Sequence, residues 1–126
     1  MKKIIHTDKA PAPIGPYSQA VMFGNTLYTS GQIAIDPETN HLIIHSVETE
    51  AQQVMKNLKA VLEAAGMTFE NVIKTTIYLT DMADFAKVNE IYGSYFDEKT
   101  APARETVEVA ALPKGVNVEI SMIGMK

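Results

Sequence analysis

The order of apolar and polar positions predicts strands interrupted by two helices. Residues 17–22 and 26–32 read as β-rich runs flanking Gly24-Asn25, a dipeptide suited to a tight hairpin. The three prolines of Ala10-Pro11-Ala12-Pro13-Ile14-Gly15-Pro16 forbid a helix and favour an extended or looping path before them. Asp36-Pro37-Glu38-Thr39-Asn40 is a turn cluster, and residues 42–44 form a short apolar run that reads as a strand. Over residues 47–65, Val47, Ala51, Val54, Leu58, Val61 and Ala65 recur at spacings of four and three, the apolar stripe of a helix. Ser46 can cap it, Glu48 and Glu50 suit the positive end of its dipole, and Gly66 can close it. Val72–Leu79 is β-rich, with Ile73, Ile77 and Leu79 on one face and Lys74, Thr76 and Tyr78 on the other. Asp81 is placed to cap a second helix over residues 82–96, with Met82, Phe85, Val88/Asn89, Tyr92 and Phe96 along one side. A loop then leads into an expected final hairpin, residues 106–110 and 116–125 joined by residues 112–115.

Helices that interrupt strands, with hairpins at both ends, predict an α+β fold: one mixed β-sheet with two helices on one face. Apolar residues occur on both faces of several strands, among them Val21, Phe23, Leu27, Ile33, Ile120 and Ile123. The second face is therefore expected to be buried against other copies of the chain. No internal repeat or low-complexity linker interrupts the 126 residues, so residues 1–126 are read as a single domain.

Composition narrows the function classes. With 46% hydrophobic and 21% charged residues the chain can bury a core without covalent staples. The absence of cysteine excludes a disulfide scaffold, a thiolate zinc site and a cysteine nucleophile, and fits a reducing compartment. The apolar run after Met1-Lys2-Lys3 stops at Ile4-Ile5, too short for a signal peptide, and no segment nears the roughly 20 apolar residues of a membrane span. A cytoplasmic location with no membrane association is the expectation. A net charge of −4 disfavours a nucleic-acid partner, which clustered Lys and Arg would have to hold. The seven scattered glycines assemble no Walker loop or dinucleotide fingerprint, and there is no Gly-x-Ser-x-Gly elbow. His6, His41 and His45 form no ligand constellation, so no metal or other cofactor is expected.

Chemistry is left to Arg, Glu, Tyr, Ser, Thr, Asn and the backbone. Arg104 is the chain's single arginine. Its planar fork can grip a carboxylate through two hydrogen bonds, which lysine cannot reproduce; a surface salt bridge is the alternative reading. Glu119 falls on the strand face of Asn117, Ser121 and Ile123, and the expected hairpin puts Arg104, Thr106 and Glu108 on that same face. In that register Glu108 opposes Glu119 and Arg104 opposes Ile123, four rungs away or roughly 13 Å. A pocket using both is easier to build where two chains meet. Tyr17 and Ser30, at the ends of the first hairpin, and Asn89, on the second helix, also admit ordinary structural readings: a packed tyrosine, a strand-end serine and a helix-surface amide.

Seven motifs in order then resemble the RidA (YjgF/YER) family. They are Ile14-Gly15-Pro16-Tyr17-Ser18-Gln19-Ala20; Thr29-Ser30-Gly31-Gln32-Ile33; Val72–Leu79 with Asp81-Met82; Phe85 with Val88-Asn89; Pro102-Ala103-Arg104; Ala111-Leu112-Pro113-Lys114; and Val118-Glu119-Ile120. The resemblance covers essentially the whole chain. It implies a chorismate-mutase-like α+β subunit, a homotrimer with intersubunit clefts, and 2-iminobutanoate/2-iminopropanoate deaminase activity. Such enzymes hydrolyse the enamine/imine released by pyridoxal-phosphate dehydratases to a 2-oxo acid and ammonia, so the implied ligands are small imino and 2-oxo acids. It assigns Arg104 to the substrate carboxylate, Glu119 to directing water, and Tyr17, Ser30, Gly31, Asn89 and Thr106 to the pocket. Glu105 stands where the family usually has a small residue, and Thr106 where some members carry a cysteine. The other function classes compatible with these residues are a non-catalytic carboxylate-binding regulatory or chaperone-like trimer and, less favoured by the charge balance, an endoribonuclease.

Overall fold

In the computed structural model, which describes residues 1–126, six strands form one mixed sheet. They are β1 (Lys2–Ile5), β2 (Ala20–Phe23), β3 (Thr26–Thr29), β4 (Val72–Leu79), β5 (Ala103–Glu108) and β6 (Val118–Met125), in the order β1-β2-β3-β6-β4-β5. Two helices, α1 (Val47–Ala64) and α2 (Phe85–Gly93), cover one face of it. The expected α+β class and mixed sheet are present.

Helix α1 begins and ends where its sequence signals lie. The Ser46 hydroxyl accepts from the Thr49 N–H at 3.1 Å, and the Thr49 hydroxyl in turn accepts from the Ser46 N–H at 3.1 Å, a reciprocal cap. At the other end Gly66 takes φ 72°, and the Gly66 and Met67 amides donate to the Glu63 and Leu62 carbonyls, both at 2.9 Å. The stripe Ala51, Val54, Leu58, Val61 is buried against Leu27, Ile77, Ile120 and Met122 of the sheet. Helix α2 follows a single 3₁₀ turn at Met82–Asp84, whose Ala83 amide is capped by Asp81 Oδ1 (2.9 Å) and whose Met82 amide donates to Glu108 Oε1 (2.8 Å), and stops at Gly93 rather than residue 96.

The expected C-terminal hairpin does not form. β4 lies between β5 and β6, parallel to β5 and antiparallel to β6, while β6 also pairs with β3. β4, α2 and β5 therefore make a strand–helix–strand crossover, the connection a parallel pair requires. The residues themselves account for the order. Arg104, Glu105 and Glu108 make β5 a polar strand fit for a sheet edge, whereas Val118, Ile120 and Met122 of β6 are buried in the sheet's centre. Residues 42–44 likewise form no strand, and Leu42 makes only an isolated bridge to Ile35. The first strand, β1, was not expected from so short an apolar run; it pairs with β2 as the opposite edge. A register shift between Val72 and Lys74 turns Ile73 outward, so the buried face of β4 is Val72, Thr75, Ile77 and Leu79.

The face away from the helices carries Ile4, Phe23, Tyr28, Val107 and Met125, all exposed in the single chain.

Candidate active site

The segment that follows β3 runs beside β6. Gln32 and Ile120 exchange backbone hydrogen bonds (2.8 and 3.1 Å), which brings Gly31 against Glu119. A Cβ on residue 31 would collide with the Glu119 carboxylate, its Cδ lying 2.7 Å from that position. Only glycine leaves this space open. The Ser30 hydroxyl donates to the Ser18 carbonyl at 2.6 Å, tying this segment to the stretch just after Tyr17. Tyr17, Ser30, Gly31 and Glu119 then line one cavity of about 480 Å³, whose apolar walls include Ile14 and Ile33.

Three buried polar side chains hold the walls in place. The Gln19 amide donates to the Thr7 and Pro11 carbonyls (3.0 and 2.9 Å) and accepts from the Thr7 N–H (2.8 Å), fixing the proline-rich stretch. Asn57 of α1 donates to the Ile33 and Ile35 carbonyls at 3.1 and 2.9 Å. Glu50, also of α1 and fully buried, accepts from the Asn117 N–H, the Asn117 side-chain amide and the Val118 N–H (2.7, 2.8 and 2.8 Å). It anchors the two residues immediately before Glu119. Partial burial raises the Glu119 carboxyl above its ordinary value.

Arg104 stands elsewhere. On β5 it pairs with Thr75, on the helix-covered face, and its guanidinium donates to the Asn89 side-chain carbonyl of α2 at 2.6 Å. The guanidinium carbon lies 5.1 Å from the centre of the Tyr92 ring and 5.6 Å from that of Phe85. The Tyr92 ring is in turn held by its hydroxyl, which donates to Thr75 Oγ1 at 3.0 Å. Burial raises the Tyr92 phenol, with the Thr75 hydrogen bond and the Arg104 charge acting in the opposite direction. The ion pairs of the chain are His6–Asp8 and Lys74–Glu105, so Arg104 is not a salt-bridge partner within the subunit. With Asn89 and Tyr92 it lines an open groove of about 390 Å³.

The expected placement of Arg104 and Glu119 on one face is thus corrected. Glu119 pairs with Tyr78 and Arg104 with Thr75, three positions apart along β4, an odd offset that sends the two side chains to opposite faces. Tyr17, Ser30, Gly31 and Glu119 come together, Asn89 and Arg104 come together, and the two groups share no cavity within one chain. Thr106 lines neither, and its hydroxyl is buried without a hydrogen-bond partner. Glu105 points to the open face, bonded to Thr76 Oγ1 at 2.6 Å and to Lys74 Nζ at 3.0 Å; these contacts lower its carboxyl, the Thr76 hydrogen bond foremost.

Helical periodicity places Phe85 and Tyr92 on the packing stripe of the second helix, and no local pattern gives Glu50, Asn57 or Lys114 a site role. The spacing of Phe85, Asn89 and Tyr92 at four and three residues places them on one helix face, but not beside Arg104, which β5 brings there. Nothing local to Glu50 or Asn57 marks their partners, which lie 67 and 22 residues away in the chain.

A family model described as endoribonuclease L-PSP matches residues 7–126. The chain is 52% identical over 126 residues to the 2-iminobutanoate/2-iminopropanoate deaminase of Mus musculus, across 100% of this chain and 93% of that protein. The solved structure of RidA from the Antarctic bacterium Psychrobacter sp. is similar at a TM-score of 0.94 and 49% identity, covering 98% of this chain and 99% of that one. A structure of Escherichia coli TdcF with bound serine is similar at a TM-score of 0.92 and 44% identity, covering 98% of each chain.

Proposed function

The chain belongs to the Rid (YjgF, endoribonuclease L-PSP) family, and from that membership we propose that it is a 2-iminobutanoate/2-iminopropanoate deaminase whose site is completed between copies of a homotrimer. Its reaction is the addition of water to the C=N carbon of a small 2-imino acid, followed by loss of ammonia, leaving a 2-oxo acid. Such an imine already hydrolyses in water. Acceleration therefore needs the carboxylate held, a water placed against C2, and protons moved.

The residues divide these tasks. Arg104 grips the substrate carboxylate with the donors that Asn89 leaves free, its guanidinium kept in place by the Tyr92 and Phe85 rings. Glu119 orients the water, takes its proton as the oxygen adds to C2 and passes it to the imine nitrogen; it then takes the hydroxyl proton of the carbinolamine and gives it to the nitrogen, which leaves as ammonia as the C=O forms. Burial raises its pKa, which makes the carboxylate a stronger base than a solvated glutamate. Gly31 leaves room for the carboxylate, and Tyr17 and Ser30 shape the cavity. TdcF holding serine supports the same ligand class, a compact molecule with an α-carboxylate.

The observation that carries the assembly is the division of the site. Arg104 and Glu119 lie on opposite faces of one sheet, and the Glu119 face is rich in exposed apolar side chains. Packing that face against a neighbour lets the Arg104 of one copy complete the Glu119 cavity of another. The family description also names an endoribonuclease. No histidine lines either cavity to serve as acid or base, and acidic residues outnumber Lys and Arg by fifteen to eleven, which disfavours a polyanion.

The test is the appearance of 2-oxobutanoate in an assay coupled to a threonine dehydratase. Wild type should accelerate it, Arg104→Ala should abolish the acceleration, and Glu119→Gln should reduce it by about 10²–10⁴-fold. Equal acceleration by Arg104→Ala would remove the carboxylate grip from the mechanism.

A further inference from the structure

The Glu119 cavity has a cation of its own. Lys114 lines it, in the turn between β5 and β6, at φ 58° and ψ 18°. Side chains with a Cβ are strained in this left-handed region, and such strain gathers at functional positions. The ammonium takes part in neither of the chain's ion pairs, so no carboxylate within the subunit neutralises it. Pro113, the preceding residue, lines the same cavity, and the Gly115 amide closes the turn on the Leu112 carbonyl at 3.1 Å. The turn therefore holds Lys114 at the cavity wall by backbone geometry.

An anionic substrate entering this cavity meets the Glu119 carboxylate in a chain of net charge −4. Arg104 of the same chain is on the far side of the sheet and offers it no counter-charge there. We propose that Lys114 is a substrate-binding residue of the Glu119 cavity, its ammonium meeting the carboxylate of the 2-imino acid and offsetting the negative charge of Glu119. The proposal rests on the deaminase reading for the identity of the ligand. The two cations have different parts: the planar Arg104 fixes the orientation of the carboxylate, and Lys114 supplies a point charge on a flexible stem.

The stable product 2-oxobutanoate, titrated calorimetrically into the intact oligomer at low ionic strength, tests this without turnover. Lys114→Met keeps a Cβ in the strained turn and loses the charge; it should weaken Kd by about tenfold or more. Lys114→Arg should stay close to wild type. Lys114→Gly should bind as weakly as Lys114→Met while unfolding at a higher temperature, because glycine relaxes the turn. Unchanged affinity in Lys114→Met and Lys114→Gly would overturn the proposal, as would a wild type that does not bind 2-oxobutanoate. The deaminase reading fails separately: a wild type whose 2-oxobutanoate affinity depends on Lys114, yet which does not speed the coupled assay, would leave the binding role standing and remove the reaction.

Discussion

Arg104 and Glu119 are separated by an odd step along β4: one stands beside Thr75, the other beside Tyr78, and their side chains leave the sheet in opposite directions. Arg104 and Glu119 therefore cannot meet on one small molecule inside a single subunit. Phe23, Tyr28 and Val107 on the Glu119 side are exposed apolar residues, the surface that the proposed assembly would bury.

Glu119 should cost the protein stability when ionised. Burial raises its folded-state pKa above the unfolded value. The native state then holds the proton more tightly than the unfolded chain, so stability falls as pH rises from the unfolded glutamate value through the folded one and stays lower above it. Glu119→Gln should unfold at a higher temperature than wild type at pH 7, and the gap should close on acidification toward pH ~4. Thermal melts of both proteins across that range check the direction; a gap that widens at low pH would contradict the assignment.

Gly31→Ala should lose activity and keep the fold. The added methyl meets the end of a flexible side chain, so Glu119 can swing aside, but its carboxylate is then misplaced. A misplacement of about 1 Å is enough for a rate loss on the order of 10²-fold. The coupled assay and a melt on the same sample separate the two effects: expected are a large fall in rate and a small change in unfolding temperature.

Glu50→Ala should be the most damaging of these changes to stability. It leaves the Asn117 and Val118 amides and the Asn117 side chain without their buried acceptor. Each orphaned donor costs about 1–3 kcal/mol, so a loss of roughly 3 kcal/mol or more is expected in denaturant unfolding. A loss below about 1 kcal/mol would show that the loop finds other partners.

Much of this architecture was legible in the chain because it follows from local rules. Ser46 and Gly66 bound α1 through hydrogen bonds made within a turn, and the alternation of Val118, Ile120 and Met122 gave the buried face of β6. Strand partners were not local. Two neighbouring β-rich runs read as a hairpin until the crossover through α2 places β4 between them, and Arg104 then comes level with Met122 through Thr75 instead of with Ile123, a one-residue shift that reverses its face. Tyr17, Ser30, Gly31 and Glu119 were identifiable as a group only through the family's motifs, since residues 17–31 and 119 meet by way of the Gln32–Ile120 bridge. Periodicity cast Tyr92 as a core residue, which it is, but its second role under the guanidinium depends on where β5 lies.

A site assembled from the Arg104 of one copy and the Glu119 of another should be restored by complementation between two defective subunits. Arg104→Ala subunits, expected to be inactive alone, and Glu119→Gln subunits, expected to be strongly impaired alone, are unfolded together in equal amounts, refolded and assayed with the coupled dehydratase. If each site draws on two chains, random mixing leaves about a quarter of the sites with both residues intact, and roughly that share of wild-type acceleration should return. If the mixed oligomers form and remain as inactive as either parent, the two residues do not act across a subunit boundary and the account is wrong.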